Sequence, residues 1–197
     1  MYRKRMQDLK NKHGQPCAVK LKDYINGDRM DYYSFFSKGF LLDFLFQTEQ
    51  FWLRRFVKSL RKEEYFTFIR PNSIFRFYYR RKKNIYGRKL GFFIPAGCFG
   101  SGLKIYHYGS VIVNPKARIG KNCTVHGNCC IGSKGTLVEE APRIGDQVDI
   151  GQGAQVLGNI TIADGVKIGA GAVVVHSVPE PNVTVVGIPA KITNSNQ

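Results

Sequence analysis

Aliphatic residues recur at every sixth position along the C-terminal half of the chain. The series forms two runs, Ile119, Val125 and Ile131, followed by Ile144, Ile150, Val156, Ile162, Ile168 and Val174. A helix repeats at about 3.6 residues and a strand at about two, so neither element gives this period. Short strands joined by tight corners do give it, because each side of a parallel β-helix places one aliphatic side chain in the bore.

Residues that tolerate unusual backbone angles lie between these aliphatics. They are Asn122, Asn128, Asp146, Gly153, Asp164, Gly165 and Gly171, and all of them suit tight corners. Three six-residue sides make one triangular coil, so residues 105–192 supply roughly four to five coils, which is enough for a repeat fold. The pattern therefore predicts a mainly β fold, a parallel β-helix of hexapeptide repeats.

The first ninety residues predict helices and loops instead of repeats. Residues 1–35 are polar with many turn formers, which indicates loops with one short helix. Thr48 can cap a helix that runs to about Lys62 and separates an apolar from a basic face. The apolar face carries Trp52, Phe56 and Leu60, and the basic face carries Arg54, Arg55, Lys58, Arg61 and Lys62. Pro71 then precedes a second aromatic and basic stretch, 74–89.

Positive charge is concentrated in this helical region. The chain has 30 Lys and Arg against 14 Asp and Glu, a formal net charge of +16. Residues 1–90 hold 22 of the basic and 8 of the acidic residues (22 − 8 = +14), which leaves +2 for residues 91–197. We therefore divide the chain into a basic, partly helical region (1–90), a β-helix domain (91–192) and a tail (193–197). The asymmetry predicts an anionic partner for the first of these.

The basic helices have two interpretations. Aromatic and cationic side chains together suit docking on an anionic membrane surface. Alternatively the aromatics pack on the β-helix or a neighbouring subunit and leave the charges in water, which is the common pattern of surface helices and the one we favour. Nucleic-acid binding is not expected, because no recognised binding motif accompanies the basic residues.

Export and membrane-crossing signals are not expected in this sequence. Residues 1–22 are polar and lack the apolar centre of a signal peptide, and the apolar run 40–46 is short and interrupted by Asp43. The cysteines lack disulfide or metal spacing and are Cys17, Cys98, Cys123, Cys129 and Cys130. We expect reduced, mostly buried thiols in a cytoplasmic protein, with peripheral contact at the inner membrane face as an option.

The repeats and their closing segment resemble a known family. Glycine follows several repeat aliphatics, as at 119–120 and 144–145, and the span closes with Gly-Ile-Pro-Ala-Lys-Ile at 187–192. The pattern is similar to that of the hexapeptide-repeat acyltransferases over residues 92–192, half of the chain. The resemblance implies a left-handed β-helix, which is an exception to the usual crossover rule. It also implies a homotrimer that transfers an acetyl group directly from acetyl-CoA, with no acyl-enzyme and no metal.

His107 is the candidate catalytic base. It lies in Ile-Tyr-His-Tyr-Gly-Ser-Val-Ile-Val-Asn (105–114), beside a slip in register, since Val111 and Ile119 are eight residues apart. The segment resembles the D-H-x-x-G-I-V-V motif of the serine acetyltransferase branch, whose histidine is the base. The resemblance implies that His107 takes the proton of the attacking hydroxyl, a transfer that imidazole suits near neutral pH. The other histidines, His13, His126 and His176, are weaker candidates.

The positions before His107 depart from that branch. Its pattern D-I-H-P-x-A-x-I-G-x-G-x-x-x-D-H contains two aspartates that bind the amino-acid acceptor, and this chain has Phe92 and Tyr106 in their places. Ala141 stands where a second family histidine precedes Pro-basic-Ile. A serine ammonium group would lose its counter-charges, whereas aromatic residues suit the apolar face of a sugar ring.

A sugar hydroxyl is therefore the expected acceptor, in a surface polysaccharide or a lipid-linked glycan precursor. Phe92, Tyr106 and Asn114 are the expected acceptor-binding residues. The segment G-x-G-L-x-I-x-H-x-G (100–109) also resembles the capsule and O-antigen O-acetyltransferases of this superfamily. A serine O-acetyltransferase is the alternative.

The acetyl donor is placed by the same resemblance. Ile131 and Ile144 are thirteen residues apart instead of twelve, so the polar segment 132–140 should bulge out as a loop, and a loop here walls the donor site in the family. By position, coenzyme A would lie against the small residues Gly151, Gln152, Ala170 and Gly171, with its phosphates near Lys167, Lys191 or Arg143. A solvated surface position is an equal alternative for each of these three basic residues.

Three other functions were considered for the same sequence features. A non-catalytic β-helix would serve as a scaffold or binding module. A metal enzyme like the γ-class carbonic anhydrases needs closely spaced histidines, whereas His107, His126 and His176 are 19 and 50 residues apart. A thiol enzyme using Cys129 or Cys130 would need a neighbour that lowers the thiol pKa, and only His126 is near in sequence.

Overall fold

Three parallel sheets surround a bore of aliphatic side chains in the computed structural model, which describes residues 21, 25, 28, 40–135 and 140–193. Every aliphatic of the six-residue series is at most 2% exposed, which confirms the predicted β-helix. The strands are β1 (Phe92–Phe93), β2 (Lys104–Ile105), β3 (Val111–Val113), β4 (Arg118–Ile119), β5 (Thr124–Val125), β6 (Cys130–Gly132), β7 (Arg143–Ile144), β8 (Asp149–Ile150), β9 (Gln155–Leu157), β10 (Thr161–Ile162), β11 (Lys167–Ile168), β12 (Val173–Val174), β13 (Thr184–Gly187) and β14 (Ala190–Ile192).

Successive coils add strands to the three sheets in turn. The sheets have the orders β1-β3-β6-β9-β12, β4-β7-β10 and β2-β5-β8-β11-β13-β14, and only the last pair, β13 with β14, is antiparallel. We call the turn from the six-stranded to the five-stranded sheet corner A (106–110, 126–129, 151–154 and 169–172). Corner B leads from the five-stranded to the three-stranded sheet (114–117, 133–135, 140–142 and 158–160). Corner C leads back to the six-stranded sheet (120–123, 145–148 and 163–166).

The corners use the residues that the pattern indicated. Asn122 and Gly165 at corner C have φ angles of 55° and 69°, the left-handed region that asparagine and glycine tolerate best. Aspartate acts there through its side chain. Asp146 Oδ1 accepts a hydrogen bond from Lys121 N at 2.7 Å, and Asp164 Oδ1 accepts one from Asp146 N at 2.7 Å. These bonds tie each coil to the next along one edge.

The extra residues of the repeat lie at corner B. The chain between Val111 and Ile119 turns at residues 114–116, where Asn114 Oδ1 accepts a hydrogen bond from Lys116 N at 2.8 Å. The register slip therefore lies at corner B, one corner away from His107 at corner A, and not beside His107 as the spacing indicated. The longer predicted loop also lies at corner B, although residues 136–139 of it are outside the described part of the chain.

Three helices precede the coils in the described region. They are α1 (Phe40–Leu45), α2 (Glu49–Phe68) and α3 (Phe75–Leu90). Thr48 caps α2 as predicted, since its Oγ1 accepts a hydrogen bond from Phe51 N at 3.3 Å, but the helix continues beyond the predicted end at Lys62. None of these described helices is long and apolar enough to cross a membrane. The short helix predicted within residues 1–35 falls almost wholly outside the described residues.

The apolar face of α2 packs against the β-helix. Leu53, Phe56 and Leu60 are at most 1% exposed and belong to the same hydrophobic core as the aliphatics of the bore. The ring of Phe56 meets the ring of Phe92 edge to face, with centroids 5.1 Å apart. Burying large apolar side chains is the main favourable term in folding. The packing interpretation of this face is therefore confirmed.

Arg61 corrects the predicted basic face. It is fully buried and not solvated, because α2 turns it toward the first coil. Its guanidinium pairs with Asp28 and with Glu64 Oε2 at 2.8 Å, and it also donates to the backbone carbonyls of Phe99 and Gly100. A buried charge is stable only when it is paired and hydrogen-bonded. Arg61 therefore has a structural role: its ion pairs and its hydrogen bonds to the first coil join the helical region to the β-helix.

Candidate functional site

Corner A brings the predicted base and several predicted donor residues onto one edge. The strand register aligns Ile105, Val125, Ile150 and Ile168 in successive coils, so the residues that follow them are also aligned. Tyr106, His126, Gly151 and Gly169 therefore stack along this edge. Neighbouring parallel strands are about 4.8 Å apart, so three steps span roughly 14 Å.

His107 is held at this edge by a carboxylate from α2. Its Nδ1 lies 3.2 Å from Glu49 Oε2, and the other oxygen, Glu49 Oε1, accepts a hydrogen bond from Tyr108 N at 2.6 Å. The imidazole is 59% exposed and the carboxylate 20% exposed. Glu49 is the first residue of α2, which Thr48 caps, so the start of the helix fixes where the carboxylate stands.

This contact selects one form of the histidine. A neutral imidazole that donates its Nδ1–H to a carboxylate carries its lone pair on Nε2. The carboxylate also stabilises the imidazolium that forms when Nε2 takes a proton. The geometry therefore supports a general base at His107.

A second histidine and carboxylate pair lies one coil away. His126 Nε2 is 3.2 Å from Asp149 Oδ1, and the imidazole stacks on the ring of Tyr106 with centroids 4.5 Å apart. The Tyr106 hydroxyl accepts a hydrogen bond from Lys104 Nζ at 3.0 Å. His126 is 27% exposed, less than half the exposure of His107. Tyr106 therefore separates two histidines, of which His107 is the more accessible.

Two of the three expected acceptor residues are not beside His107. Phe92 is 7% exposed and packs in the core against Phe56, so its ring face is not available to a sugar. Asn114 stabilises the turn at corner B through its contact with Lys116 N. Only Tyr106 lies at corner A. The sequence placed Phe92 by alignment alone, and its position on the strand directs the ring inward.

The expected donor residues divide between corner A and other surfaces. Gly151, Gln152, Ala170 and Gly171 follow β8 and β11 at corner A, and Gly171 N donates to Gln152 O at 2.8 Å. A Cβ on Gly171 would meet open space, whereas one on Gly151 would lie 2.6 Å from Ile168 O. Close packing of the next coil thus requires glycine at position 151, whereas position 171 faces open space. The assignment of coenzyme A to this edge remains a prediction.

The three predicted phosphate-binding cations lie on two faces. Lys167 on β11 and Lys191 on β14 are exposed on the six-stranded sheet, which ends at corner A. Arg143 is exposed on β7 in the three-stranded sheet. A single chain therefore does not bring Arg143 together with the two lysines, because different sides of the triangular coil separate them.

The four cysteines within the described residues are buried or half-buried thiols, and Cys17 lies outside those residues. Burial raises the pKa of Cys98 and Cys123 to about 12 and that of Cys129 to about 11, and it also raises the pKa of Cys130. A nucleophilic cysteine needs a lowered pKa, so the thiol-enzyme alternative is not supported. Within the described residues, no cluster of three histidine, cysteine or acidic side chains could hold a metal ion. His176 is exposed in the last coil, and His13 lies outside the described residues.

Comparison with known proteins finds proteins that are named serine acetyltransferase. No family model matches the chain. It is 36% identical over 104 residues to the serine acetyltransferase of Mycobacterium tuberculosis, covering 52% of this chain and 45% of that protein. It is 35% identical over 148 residues to the serine acetyltransferase of Bacillus licheniformis, covering 74% of this chain and 63% of that protein. The chain thus spans about half the length of such relatives.

Solved structures show the same fold. Soybean serine acetyltransferase matches with a TM-score of 0.66 and 26% identity, covering 88% of this chain and 69% of that one. The enzyme from Brucella abortus matches with a TM-score of 0.64 and 26% identity, covering 87% and 68%. The chain therefore has the left-handed β-helix of the hexapeptide-repeat acyltransferases, with a helical N-terminal region.

These relatives correct one expectation. They are named serine acetyltransferases and not capsule or O-antigen O-acetyltransferases. The finer resemblance to the polysaccharide enzymes is not supported, because it rested on a short segment around His107. The names of the relatives favour the serine O-acetyltransferase alternative over a sugar O-acetyltransferase.

Proposed function

We propose that this protein is an acetyl-CoA-dependent O-acetyltransferase whose acceptor is the hydroxyl of L-serine or a closely similar amino acid. The contact between His107 and Glu49 carries the proposal, because it places an accessible, oriented base on the edge formed by corner A. The names of the relatives support the acetyl group as the unit transferred and serine as the acceptor.

The reaction proceeds by direct transfer. Nε2 of His107 takes the proton of the acceptor hydroxyl as its oxygen bonds to the carbonyl carbon of the acetyl thioester. The oxyanion so formed needs hydrogen-bond donors, which backbone N–H groups of a glycine-rich coil can supply. The carbon–sulfur bond then breaks, the carbonyl reforms, and the imidazolium returns its proton to the departing thiolate. The products are an acetyl ester and coenzyme A.

Glu49 acts as a positioning residue. It keeps the proton of neutral His107 on Nδ1, and it offsets the positive charge while the imidazole is protonated. Its second oxygen is fixed by Tyr108 N at 2.6 Å, so the carboxylate cannot swing away without breaking that bond. In this role Glu49 acts through His107 and does not touch the substrate.

A carboxylate beside corner A removes an argument against serine. Phe92 and Tyr106 replace the aspartates of the family motif, which led to the expectation of a sugar. Asp149 lies one coil away from His107, next to His126, so negative charge is available to an ammonium group. The buried ring of Phe92 also gives a sugar little to stack on. A glycan hydroxyl is the competing acceptor.

Assembly and location belong to the same proposal. We place the protein in the cytoplasm as a homotrimer. Exposed apolar residues of the coils, Ile112, Val186 and Ile188 at 47%, 41% and 77% exposure, support contacts between copies. The free thiols at positions 98, 123, 129 and 130 suit a reducing compartment. Association with an anionic membrane or a lipid-linked glycan remains a prediction from charge alone.

Thioester consumption tests the acceptor. The full chain is incubated with acetyl-CoA and either L-serine, D-serine, hexoses, amino sugars or oligosaccharides, and released thiol is measured. We expect turnover with L-serine that exceeds the rate with every sugar. Turnover with a sugar and none with L-serine contradicts the acceptor but keeps the acetyltransferase. No turnover with any acceptor, together with no thermal shift on adding coenzyme A, favours the scaffold alternative.

A further inference from the structure

A cleft lined by cations lies between α2 and α3, away from corner A. Its volume is about 330 Å³. It is lined by Arg54, Arg55, Lys58, Ser59, Lys62, Tyr79, Lys82 and Tyr86. Five of these eight residues are basic and none is acidic. Such a concentration of one sign of charge in a concave surface raises the local concentration of oppositely charged ligands.

The acidic residues of the two helices are engaged elsewhere. Helix α3 contains none. On α2, Glu49 holds His107, Glu64 pairs with Arg61, and Glu63 pairs with Arg80 and Lys83 at 2.9 and 3.0 Å. These contacts leave the cleft positive among the described residues.

The cationic side chains are held in place by aromatic rings and hydroxyls. Arg55 donates to the Tyr86 hydroxyl at 3.0 Å and lies 4.6 Å from the centre of the Phe51 ring. Lys62 lies 4.8 Å from the centre of the Tyr79 ring. These contacts preorganise the cations, and preorganised side chains lose less conformational entropy when a ligand binds.

The positive charges of the cleft affect the ionisation of Lys58. Partial burial, with the nearby charges of Lys62 and Arg54, lowers the pKa of its ammonium group. A bound anion would offset the repulsion between these like charges.

We propose that this cleft binds a phosphate ester carrying at least two negative charges. Guanidinium and ammonium groups together are the usual ligands of phosphate oxygens, arginine through paired N–H donors and lysine as a point charge. The volume is at the lower end of the roughly 300–1,000 Å³ typical of small-molecule sites, so it admits a phosphate together with a small organic group. The half-buried ring of Tyr79, beside Lys62, can contact that group.

Calorimetric titration of the full chain with inorganic pyrophosphate at low ionic strength tests the site. We expect saturable binding that the double variant Lys58→Gln/Lys62→Gln weakens at least tenfold. The matched control Arg70→Gln/Arg76→Gln removes the same charge outside the cleft, from the turn that follows α2 and from α3, and should change the dissociation constant less than threefold. Both variants should keep the wild-type unfolding temperature, because neither pair of residues belongs to the buried core.

Two sources of phosphate are separated by a second measurement with vesicles of phosphatidic acid in phosphatidylcholine. Vesicle retention that pyrophosphate reverses, and that the cleft variant lacks, assigns a lipid head group. Pyrophosphate binding without vesicle retention assigns a soluble phosphate ester. The proposal is overturned if neither probe binds, if the two double variants weaken binding equally, or if coenzyme A bound at corner A excludes pyrophosphate competitively.

Discussion

Glu49 and His107 are 58 residues apart in sequence, and their side chains meet at the junction of a helix and the β-helix, with Oε2 and Nδ1 separated by 3.2 Å. The helix start brings the carboxylate, and corner A brings the imidazole. The contact therefore depends on how α2 docks on the first coil. Phe56 against Phe92 and the buried Arg61 network fix that docking.

Replacing His107 with alanine should remove the base. We expect kcat to fall by roughly 10²–10⁴, with little change in coenzyme A affinity or unfolding temperature, because the side chain is 59% exposed. Steady-state kinetics and a thermal melt measure the two effects. His176→Ala is the control, since that histidine is also exposed but lies in the last coil. Near-normal turnover of His107→Ala, or its loss in His126→Ala alone, would assign the base elsewhere.

Replacing Glu49 with glutamine should uncouple the imidazole from its carboxylate. The amide keeps an oxygen for Tyr108 N but can present N–H to Nδ1, which favours the unproductive tautomer with hydrogen on Nε2. We expect kcat to fall on the order of 10²–10⁴, as for orienting carboxylates in other enzymes, while KM stays within a few fold.

Asp149→Asn is the matched control for this change, because it breaks the other histidine and carboxylate pair at corner A. Its kcat should stay much closer to the wild-type value, and its effect should fall on the KM for serine, because Asp149 is the carboxylate offered to the ammonium group. A merely structural role for Glu49 would lower the unfolding temperature without the selective loss in kcat, and that result would refute the positioning role.

Replacing Arg61 with methionine should destabilise the fold. The change leaves the buried carboxylates of Asp28 and Glu64 without their cation, and breaking one side of a buried ion pair costs about 3–5 kcal/mol. Denaturant unfolding measures the loss. Lys58→Met on the same helix is the control, because Lys58 is exposed and most surface changes stay within about 0.5 kcal/mol. Equal unfolding midpoints for the two variants would show that the network does not stabilise the junction.

The buried thiols should make stability depend on alkaline pH. Folding raises the pKa of Cys98 and Cys123 from 9.0 to about 12 and that of Cys129 to about 11. Below pH 9 both states keep these protons and the stability is complete. Above pH 9 the unfolded chain releases them first, so the free energy of unfolding falls by up to about 1.4 kcal/mol per pH unit for each thiol.

Denaturant unfolding between pH 8 and 11 measures that slope. This range brackets 9.0, the pKa of the thiol in the unfolded chain. Cys123→Ala removes one titrating group and should give a shallower slope than wild type. All other groups titrate alike in the two proteins, so the difference isolates the thiol. Parallel slopes would mean that the Cys123 thiol ionises equally in both states.

The sequence by itself determined the β-helix and its corners. A six-residue series of aliphatics has one regular structure that buries all of its members, so Ile119 and Val174 could be assigned to the bore without any knowledge of contacts. The role of Thr48 as a helix cap was equally predictable, because a helix cap is a local interaction between residues three apart. The acyltransferase fold followed from this period and from the closing segment 187–192.

The alignment of residues along corner A could be predicted from the sequence only in part. Gln152 and Ala170 are 18 residues apart, one full coil, so their place on the same edge could be predicted. His107, in contrast, had been linked to a register slip that belongs to corner B. The error arose because a change in spacing shows that residues have been inserted without showing which corner of the coil accommodates them. Strand pairing, such as Ile112 with Cys130, decides that point.

Only the tertiary structure decided which charges serve the site, which serve the fold and which remain available. Arg61 and Lys58 share a helix and looked alike in sequence, yet one is buried against Asp28 and the other lines an open cleft. Glu49 gave no local signal, since its partner lies on another element. Periodicity specifies what each residue does within its own element, whereas the pairing of distant side chains depends on how elements dock. That docking is set by long-range packing that a local pattern does not contain.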